Sequence, residues 1–261
     1  MVGSRTILVE PEKAEMNVVI FHGYTGSPDT FAELAQRISG EFNARVFVPL
    51  LPGHGTSIDD LEQISFEHFM EAARDHVRSL KEPGLPLFVI GYCFGGYLGT
   101  VIANEFHAKA LVLALTSFRA RFPFTLPGFA VLMSKRKTWS KYLRRQEKQI
   151  REPFFYYERM PGKAQLLCDV GRKNMKKILP FLTVPILTLH TKNDPTCIQM
   201  SGRKILSLSA QNSGNEAKVL PNRRHALFFG PKKDEDIAFV INFLKKICKR
   251  KLPPKCIGAA V

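Results

Sequence analysis

The chain has 261 residues, of which 45% are hydrophobic, 23% charged and 10% aromatic, fractions that exclude a disordered or fibrous protein. A chain of this length forms one or two domains at roughly 150 residues each, with a core large enough to need no disulfide or metal staple. Its 38 Lys and Arg against 23 Asp and Glu give +15, a field suited to nucleic acid, an anionic membrane surface or acidic substrates, depending on where it sits.

In chain order, short apolar runs alternate with helical patterns. Residues 1–15 hold no apolar stretch of signal-peptide length. Apolar runs predict buried strands over 17–21, 45–48, 87–90, 110–115 and 185–189, with a further strand over 217–220. Helical spacing places Phe31, Leu34, Ala35 and Ile38 on one face of 28–39, and Phe66, Phe69, Met70, Ala73 and Val77 on one face of 65–81. A short helix is expected over 95–106 and an amphipathic one over 234–248. Such alternation implies a mostly parallel sheet covered on both faces. The rhythm breaks between residues 118 and 182, where no clear strand is expected between Leu115 and Val184 and aromatic residues (Phe122, Phe124, Phe129, Trp139, Tyr142, Phe154, Phe155, Tyr156, Tyr157) are interleaved with basic ones. That stretch reads as a cap.

The charge follows the same division. From Arg119 to Pro180 there are 16 basic and four acidic residues, so most of the net charge lies there, and Lys245, Lys246, Lys249, Arg250, Lys251 and Lys255 add a basic tail. No run reaches the ~20 apolar residues of a membrane span. Cys93, Cys168, Cys197, Cys248 and Cys256 have no metal-ligand spacing, and so odd and scattered a set predicts a reduced, cytoplasmic setting.

The segment richest in chemistry is Ile90-Gly91-Tyr92-Cys93-Phe94-Gly95-Gly96. It leaves an expected strand and opens an expected helix, the context that the nucleophile-elbow motif G-x-S-x-G requires. Glycines flank such a turn because side chains there collide with the neighbouring strand and helix, and the central residue is forced outward in a strained conformation. Cys93 occupies the position usual for serine. A cysteine at a helix amino terminus beside a histidine gains thiolate character. These seven residues alone also fit a buried cysteine in a glycine-rich turn of the phosphate-binding kind.

A nucleophile needs a base, and the base an orienting acid, in the order nucleophile, acid, histidine. Asp194 follows the strand over 185–189, and His225 follows the strand over 217–220. Alone, Asp194 reads as a loop-capping aspartate and His225 as a loop histidine; in this order after the elbow they read with Cys93 as a triad. Two backbone N–H groups complete the set as an oxyanion hole. Phe94, next to the nucleophile, supplies one, and Tyr24 in His22-Gly23-Tyr24-Thr25-Gly26 supplies the other. His22 is expected to be a hydrogen-bonded structural residue and His54 to shape its loop, while His68, His76, His107 and His190 read as ordinary helix or strand residues.

Taken together, His22-Gly23-Tyr24-Thr25-Gly26, Leu51-Pro52-Gly53-His54-Gly55, the elbow, the inserted cap, Asp194 and His225 make the chain resemble an α/β-hydrolase over nearly its whole length. The layout is most similar to the carboxylesterase and monoacylglycerol-lipase group. The resemblance implies an α/β-hydrolase fold with a mostly parallel sheet, a core formed by 1–117 and 183–261, and a helical cap, 118–182, inserted after the sixth strand. It also implies Cys93 as nucleophile, Asp194 as acid, His225 as base, and Tyr24 and Phe94 as oxyanion donors. Those esterases carry serine at the elbow; the string Gly-Tyr-Cys-Phe-Gly-Gly looks like dienelactone hydrolase instead, which lacks a large cap. Polyhydroxyalkanoate synthases share the elbow but are longer chains.

A thiolate is a better leaving group than an alkoxide from a tetrahedral intermediate, so cysteine suits a thioester, lactone or activated ester. The expected activity is hydrolysis of a carboxylic ester or thioester with an apolar acyl group. Acyl transfer by the same triad is one alternative, and a non-catalytic binding protein on a hydrolase scaffold is another. No cofactor and no metal are expected, because the triad needs none. Nucleic acid is not an expected partner, since no recognition motif accompanies the basic stretch. The basic cap and tail predict weak association with an anionic membrane surface, with a solvated charged face as the alternative.

Overall fold

The computed structural model describes residues 4–80, 82, 84–120, 123, 125, 126, 128–140, 150, 154–210 and 212–249. Phe122, Phe124, Tyr142, Arg250, Lys251, Lys255 and Cys256 lie outside them, and of Trp139 only the backbone is described.

Seven strands form the main sheet: β1 (Ile7–Val9), β2 (Met16–Phe21), β3 (Ala44–Val48), β4 (Leu87–Tyr92), β5 (Ala110–Ala114), β8 (Ile186–Thr191) and β9 (Glu216–Leu220). Their spatial order is β1-β3-β2-β4-β5-β8-β9. All neighbours run parallel except β1, which pairs antiparallel with β3. In register, Ile20 of β2 lies opposite Ile90 of β4, and Ile90 opposite Val112 of β5. The central strands are apolar at nearly every position because both faces are covered. Along β2, Val19 and Phe21 enter one apolar layer, and Val18 and Ile20 the other.

The first layer holds α3 (Phe66–Arg78), α4 (Gly95–Glu105), α6 (Ala164–Ile178) and α7 (Ser201–Leu208); the second holds α1 (Ala32–Phe42) and α8 (Lys233–Lys249). The helix expected over 28–39 opens as a 3₁₀ turn, Pro28–Phe31, with proline in its first turn. It ends at Asn43, whose left-handed φ of +47° stops helical bonding. In α3, Ser65 and His68 close a capping box, and Phe66, Phe69, Met70, Ala73 and Val77 form the buried stripe that their spacing predicts. One helix that the sequence reading did not expect is α2 (Ile58–Gln63), which is short and acidic but capped by Ser57 and Asp60; α7 lies in the 31-residue interval between Asp194 and His225, which has room for one helix and one strand.

The stretch between β5 and β8 corrects two expectations. It contains two strands, β6 (Thr138–Ser140) and β7 (Arg159–Pro161), paired antiparallel; three residues each are too few to display alternation. It also follows the fifth strand of the chain, because one strand fewer precedes it than expected. Two helices flank the small sheet, the six-residue α5 (Phe129–Ser134) and α6. Along α6, Ala164, Leu167, Gly171 and Met175 are buried at helical spacing, with Gly171 against the Tyr97 ring of α4. The end of the stretch is thus packed into the same layer as α3 and α4. Among the described residues no helix is long and apolar enough to cross a membrane.

Candidate active site

Cys93 sits between the last residue of β4 and the first turn of α4, with φ at +53°. For an L residue this left-handed conformation costs about 1–2 kcal/mol. Its surroundings hold it there. The Cys93 N–H donates to the Ala114 carbonyl at 2.7 Å, and the Cys93 carbonyl accepts from Gly96 N–H at 3.1 Å. A Cβ on Gly95 would strike the Phe21 carbonyl, and one on Gly91 would overlap Gly96 Cα. Strand and helix therefore cross at van der Waals distance, and Cys93 is turned outward at their junction, half-buried.

Asp194 lies in the loop after β8 and is buried. One carboxylate oxygen, Oδ1, accepts from Thr196 N–H at 2.7 Å, the Thr196 hydroxyl at 2.8 Å and Cys197 N–H at 2.8 Å. The other, Oδ2, lies 2.6 Å from His225 Nδ1. His225 comes from the loop after β9, where Asn222 and Arg224 also have positive φ. This loop is pinned on several sides. The Thr191 hydroxyl donates to the Arg224 carbonyl at 2.5 Å, and Arg223 is held by Asp236 at 2.6 Å and Glu235 at 2.5 Å. The His225 imidazole is hydrogen-bonded to Asp194, and Cys93 lies near enough to act on its charge.

The electrostatics match this chain of contacts. Burial opposes the His225 imidazolium, but the Asp194 carboxylate and then Cys93 outweigh it and raise the imidazole to about 10. For Asp194, burial pushes upward, yet His225 and the two loop N–H groups hold the carboxyl at about 2. The Cys168 thiol is pushed up to about 12 by burial, and that of Cys197 well above its ordinary range by the same cause.

On the other side of Cys93 lies the loop after β2. Among the described residues neither Tyr24 N–H nor Phe94 N–H has a protein acceptor. The Tyr24 ring packs on Phe94 at 5.2 Å. His22 is fully buried, donates from Nδ1 to the Gly23 carbonyl at 3.0 Å and accepts at Nε2 from Leu51 N–H at 3.1 Å. Burial lowers its pKa to about 4, which keeps it neutral, as its structural reading requires. His54 donates from Nδ1 to the Pro52 carbonyl at 3.0 Å and accepts at Nε2 from Thr25 N–H at 3.2 Å, so it ties two loops together. His190, buried in β8, bonds the Thr116 carbonyl at 2.9 Å. All five residues singled out in the sequence (Cys93, Asp194, His225, Tyr24 and Phe94) thus lie at or beside the carboxyl ends of the strands.

Three residues at this site were missed by the sequence reading. Thr196 orients Asp194, Tyr92 backs His225 with its hydroxyl on the His225 carbonyl at 3.1 Å, and Tyr157 reaches the Tyr24 loop from the insert. Of these, only Thr196, two residues past the acid, was signalled in the sequence, as an Asx-type turn partner. Among the described residues no group of three or more His, Cys, Asp or Glu is placed to hold a metal ion.

The chain is similar in sequence and in fold to known proteins. Human monoglyceride lipase is 26% identical over 80% of this chain and 75% of its own. The thermostable monoacylglycerol lipase of Bacillus sp. (strain H-257) is 30% identical over 94 residues, which span 36% of this chain and 37% of that protein. Solved structures share the fold. One, of the metagenome-derived lipolytic enzymes LipS and LipT, has a TM-score of 0.78 at 19% identity, covering 94% of this chain and 98% of that one. Another, the monoacylglycerol lipase of Paleococcus ferrophilus, has a TM-score of 0.75 at 17% identity, covering 93% and 99%. The alpha/beta hydrolase family matches residues 18–235, and the chain belongs to that family.

Proposed function

We propose that the protein is an ester hydrolase, acting on a carboxylic ester or thioester with an apolar acyl group through Cys93, His225 and Asp194. The observation that carries this reading is the Asp194–His225 hydrogen bond set beside Cys93, whose side chain is projected from a strained turn. The relatives named as monoglyceride lipases support an acyl-ester substrate.

In this reading the Cys93 sulfur attacks the carbonyl carbon, and Tyr24 and Phe94 N–H receive the charge that develops on its oxygen. His225 carries the proton taken from the thiol and gives it to the leaving alcohol or thiol. A water, deprotonated by the same imidazole, then hydrolyses the acyl-cysteine. Asp194 holds the imidazole and stabilises its cation. Because sulfur leaves more readily than oxygen, collapse of the first intermediate favours products when the leaving group is itself a thiolate or an activated alkoxide. Thioesters and activated esters are therefore the preferred substrates. An alcohol or amine in place of water would make the same site an acyltransferase, and products analysed with and without added acceptor separate the two.

Residues 118–182 serve in this reading as the cap, with α6 as its anchor on the core. Around α5, Leu126, Val131 and Leu132 are exposed at 48%, 52% and 58%, beside the basic Lys135, Arg136 and Lys137. Apolar side chains flanked by cations favour peripheral contact with an anionic membrane. Co-sedimentation with vesicles should rise with anionic lipid and fall with salt; binding independent of both would contradict this contact.

The test of the function is a panel of p-nitrophenyl esters and acyl thioesters run on wild type, Cys93→Ser and Cys93→Ala. The reading predicts turnover by wild type, a thioester preference that weakens in Cys93→Ser, and inactive Cys93→Ala. Full activity in Cys93→Ala would overturn it.

A further inference from the structure

We propose that Tyr157, in the insert, is a positioning residue that holds the loop carrying the Tyr24 N–H in its working shape, so that insert and oxyanion hole act as one unit. The inference rests on the functional reading above. Tyr157 grips the loops beside the site at three points. Its N–H donates to the Thr25 carbonyl at 3.0 Å, its hydroxyl donates to the Gly53 carbonyl at 3.0 Å, and the same hydroxyl accepts from Thr56 N–H at 3.1 Å. Its ring packs against His54, centroids 6.2 Å apart, and His54 accepts from Thr25 N–H on the loop's other side. Thr25 has φ at +66° and directly follows Tyr24.

These contacts have a direct consequence. Thr25 shares a peptide with the Tyr24 carbonyl, one unit on from the Tyr24 N–H, and a residue in the left-handed region stays there only while its neighbours over-determine it. Thr25 is held by His54 through its amide, by Tyr157 through its carbonyl, and by Met160, also of the insert, through its hydroxyl at 3.9 Å from sulfur. Two of those three holds come from the insert. Burial raises the Tyr157 phenol, so its O–H keeps the proton it donates to Gly53. An oxyanion hole works through preorganisation, and loosening the loop loses that advantage without removing a donor.

The test separates steps that need the oxyanion hole from one that does not. Addition of Cys93 to an alkyl trifluoromethyl ketone forms an S–C bond, moves the carbonyl electron pair onto oxygen and leaves the thiol proton on His225, so the adduct's oxyanion must be held. Alkylation of Cys93 by iodoacetamide displaces iodide at a saturated carbon and needs no such donors. Tyr157→Phe keeps the backbone bond and the ring while deleting both hydroxyl bonds, which fix the Gly53–Thr56 loop carrying His54, the acceptor of the Thr25 N–H. It should weaken ketone inhibition and lower kcat on p-nitrophenyl butyrate by roughly tenfold, less than the 10²–10³ lost with a whole donor. KM, the iodoacetamide rate and the far-ultraviolet circular dichroism should stay at wild-type values. Tyr157→Leu should extend the loss in the same direction. Equal losses in alkylation and ketone binding would mark Tyr157 as mere packing and overturn the proposal, as would unchanged ketone inhibition in both variants. Wild-type protein that neither binds the ketone nor alkylates at Cys93 would instead overturn the functional reading, and the proposal with it.

Discussion

Tyr92 and His225 meet twice: the Tyr92 hydroxyl donates to the His225 carbonyl at 3.1 Å, and the two rings lie edge to face with centroids 5.5 Å apart. The residue preceding Cys93 therefore braces the histidine that Cys93 must reach, although 133 positions separate them in sequence. Removing the hydroxyl with Tyr92→Phe should cost about 1 kcal/mol of stability, the net worth of one hydrogen bond. It should also lower kcat more than it raises KM, because the histidine backbone loses an anchor while the substrate surface stays intact. Chemical denaturation and steady-state kinetics on one preparation check both effects.

The Asp194–His225 pair sets the pH range of stability. The Asp194 carboxyl is lowered from 3.8 to about 2, so its contribution is present above 3.8 and is lost as pH falls through about 2. The His225 imidazole is raised from 6.5 to about 10, so its contribution is complete below 6.5 and is lost as pH rises through about 10. Both limbs describe one interaction. Melting temperature should form a plateau between pH 3.8 and 6.5 and fall off toward about 2 and about 10, and Asp194→Asn should flatten both limbs relative to wild type.

Cys93 adds to the shift on His225, so Cys93→Ala should bring the imidazole pKa down while Asp194 keeps it above 6.5. Proton NMR of the His225 ring across pH reads this directly, with no turnover needed. An unchanged His225 titration would contradict the electrostatic coupling of the two side chains.

Thiol chemistry discriminates among the cysteines. Burial pushes Cys168 up to about 12 and Cys197 well above its ordinary range, which starves both of thiolate near neutrality. Iodoacetamide should therefore modify Cys93 at least roughly tenfold faster than either, since the thiolate is the reacting form. Peptide mapping during a limited exposure gives the order.

Much of this site was legible because steric necessity writes itself in glycine. Gly91 and Gly95 are where they are because β4, α4 and β2 touch there, and the same contact projects Cys93. Asp194 and His225 were legible from their order after the elbow and from the strands that deliver them. Tyr157, by contrast, works through the carbonyls of Thr25 and Gly53 and the amide of Thr56, and backbone partners leave no signature in residue type. The short elements behave alike: β6 and β7 have three residues each, too few for a period, and β1 is an edge strand with Leu8 exposed. The helix α2 could have been found, because Ser57 and Asp60 spell a capping box just ahead of Leu61.

The most direct test is intact-protein mass spectrometry during turnover of an acyl thioester, followed by peptide mapping of any adduct. One acyl group on Cys93, formed and discharged at rates that match steady-state turnover, is the predicted result. Turnover with the acyl group on another residue, or sustained turnover in Cys93→Ala, would contradict the account.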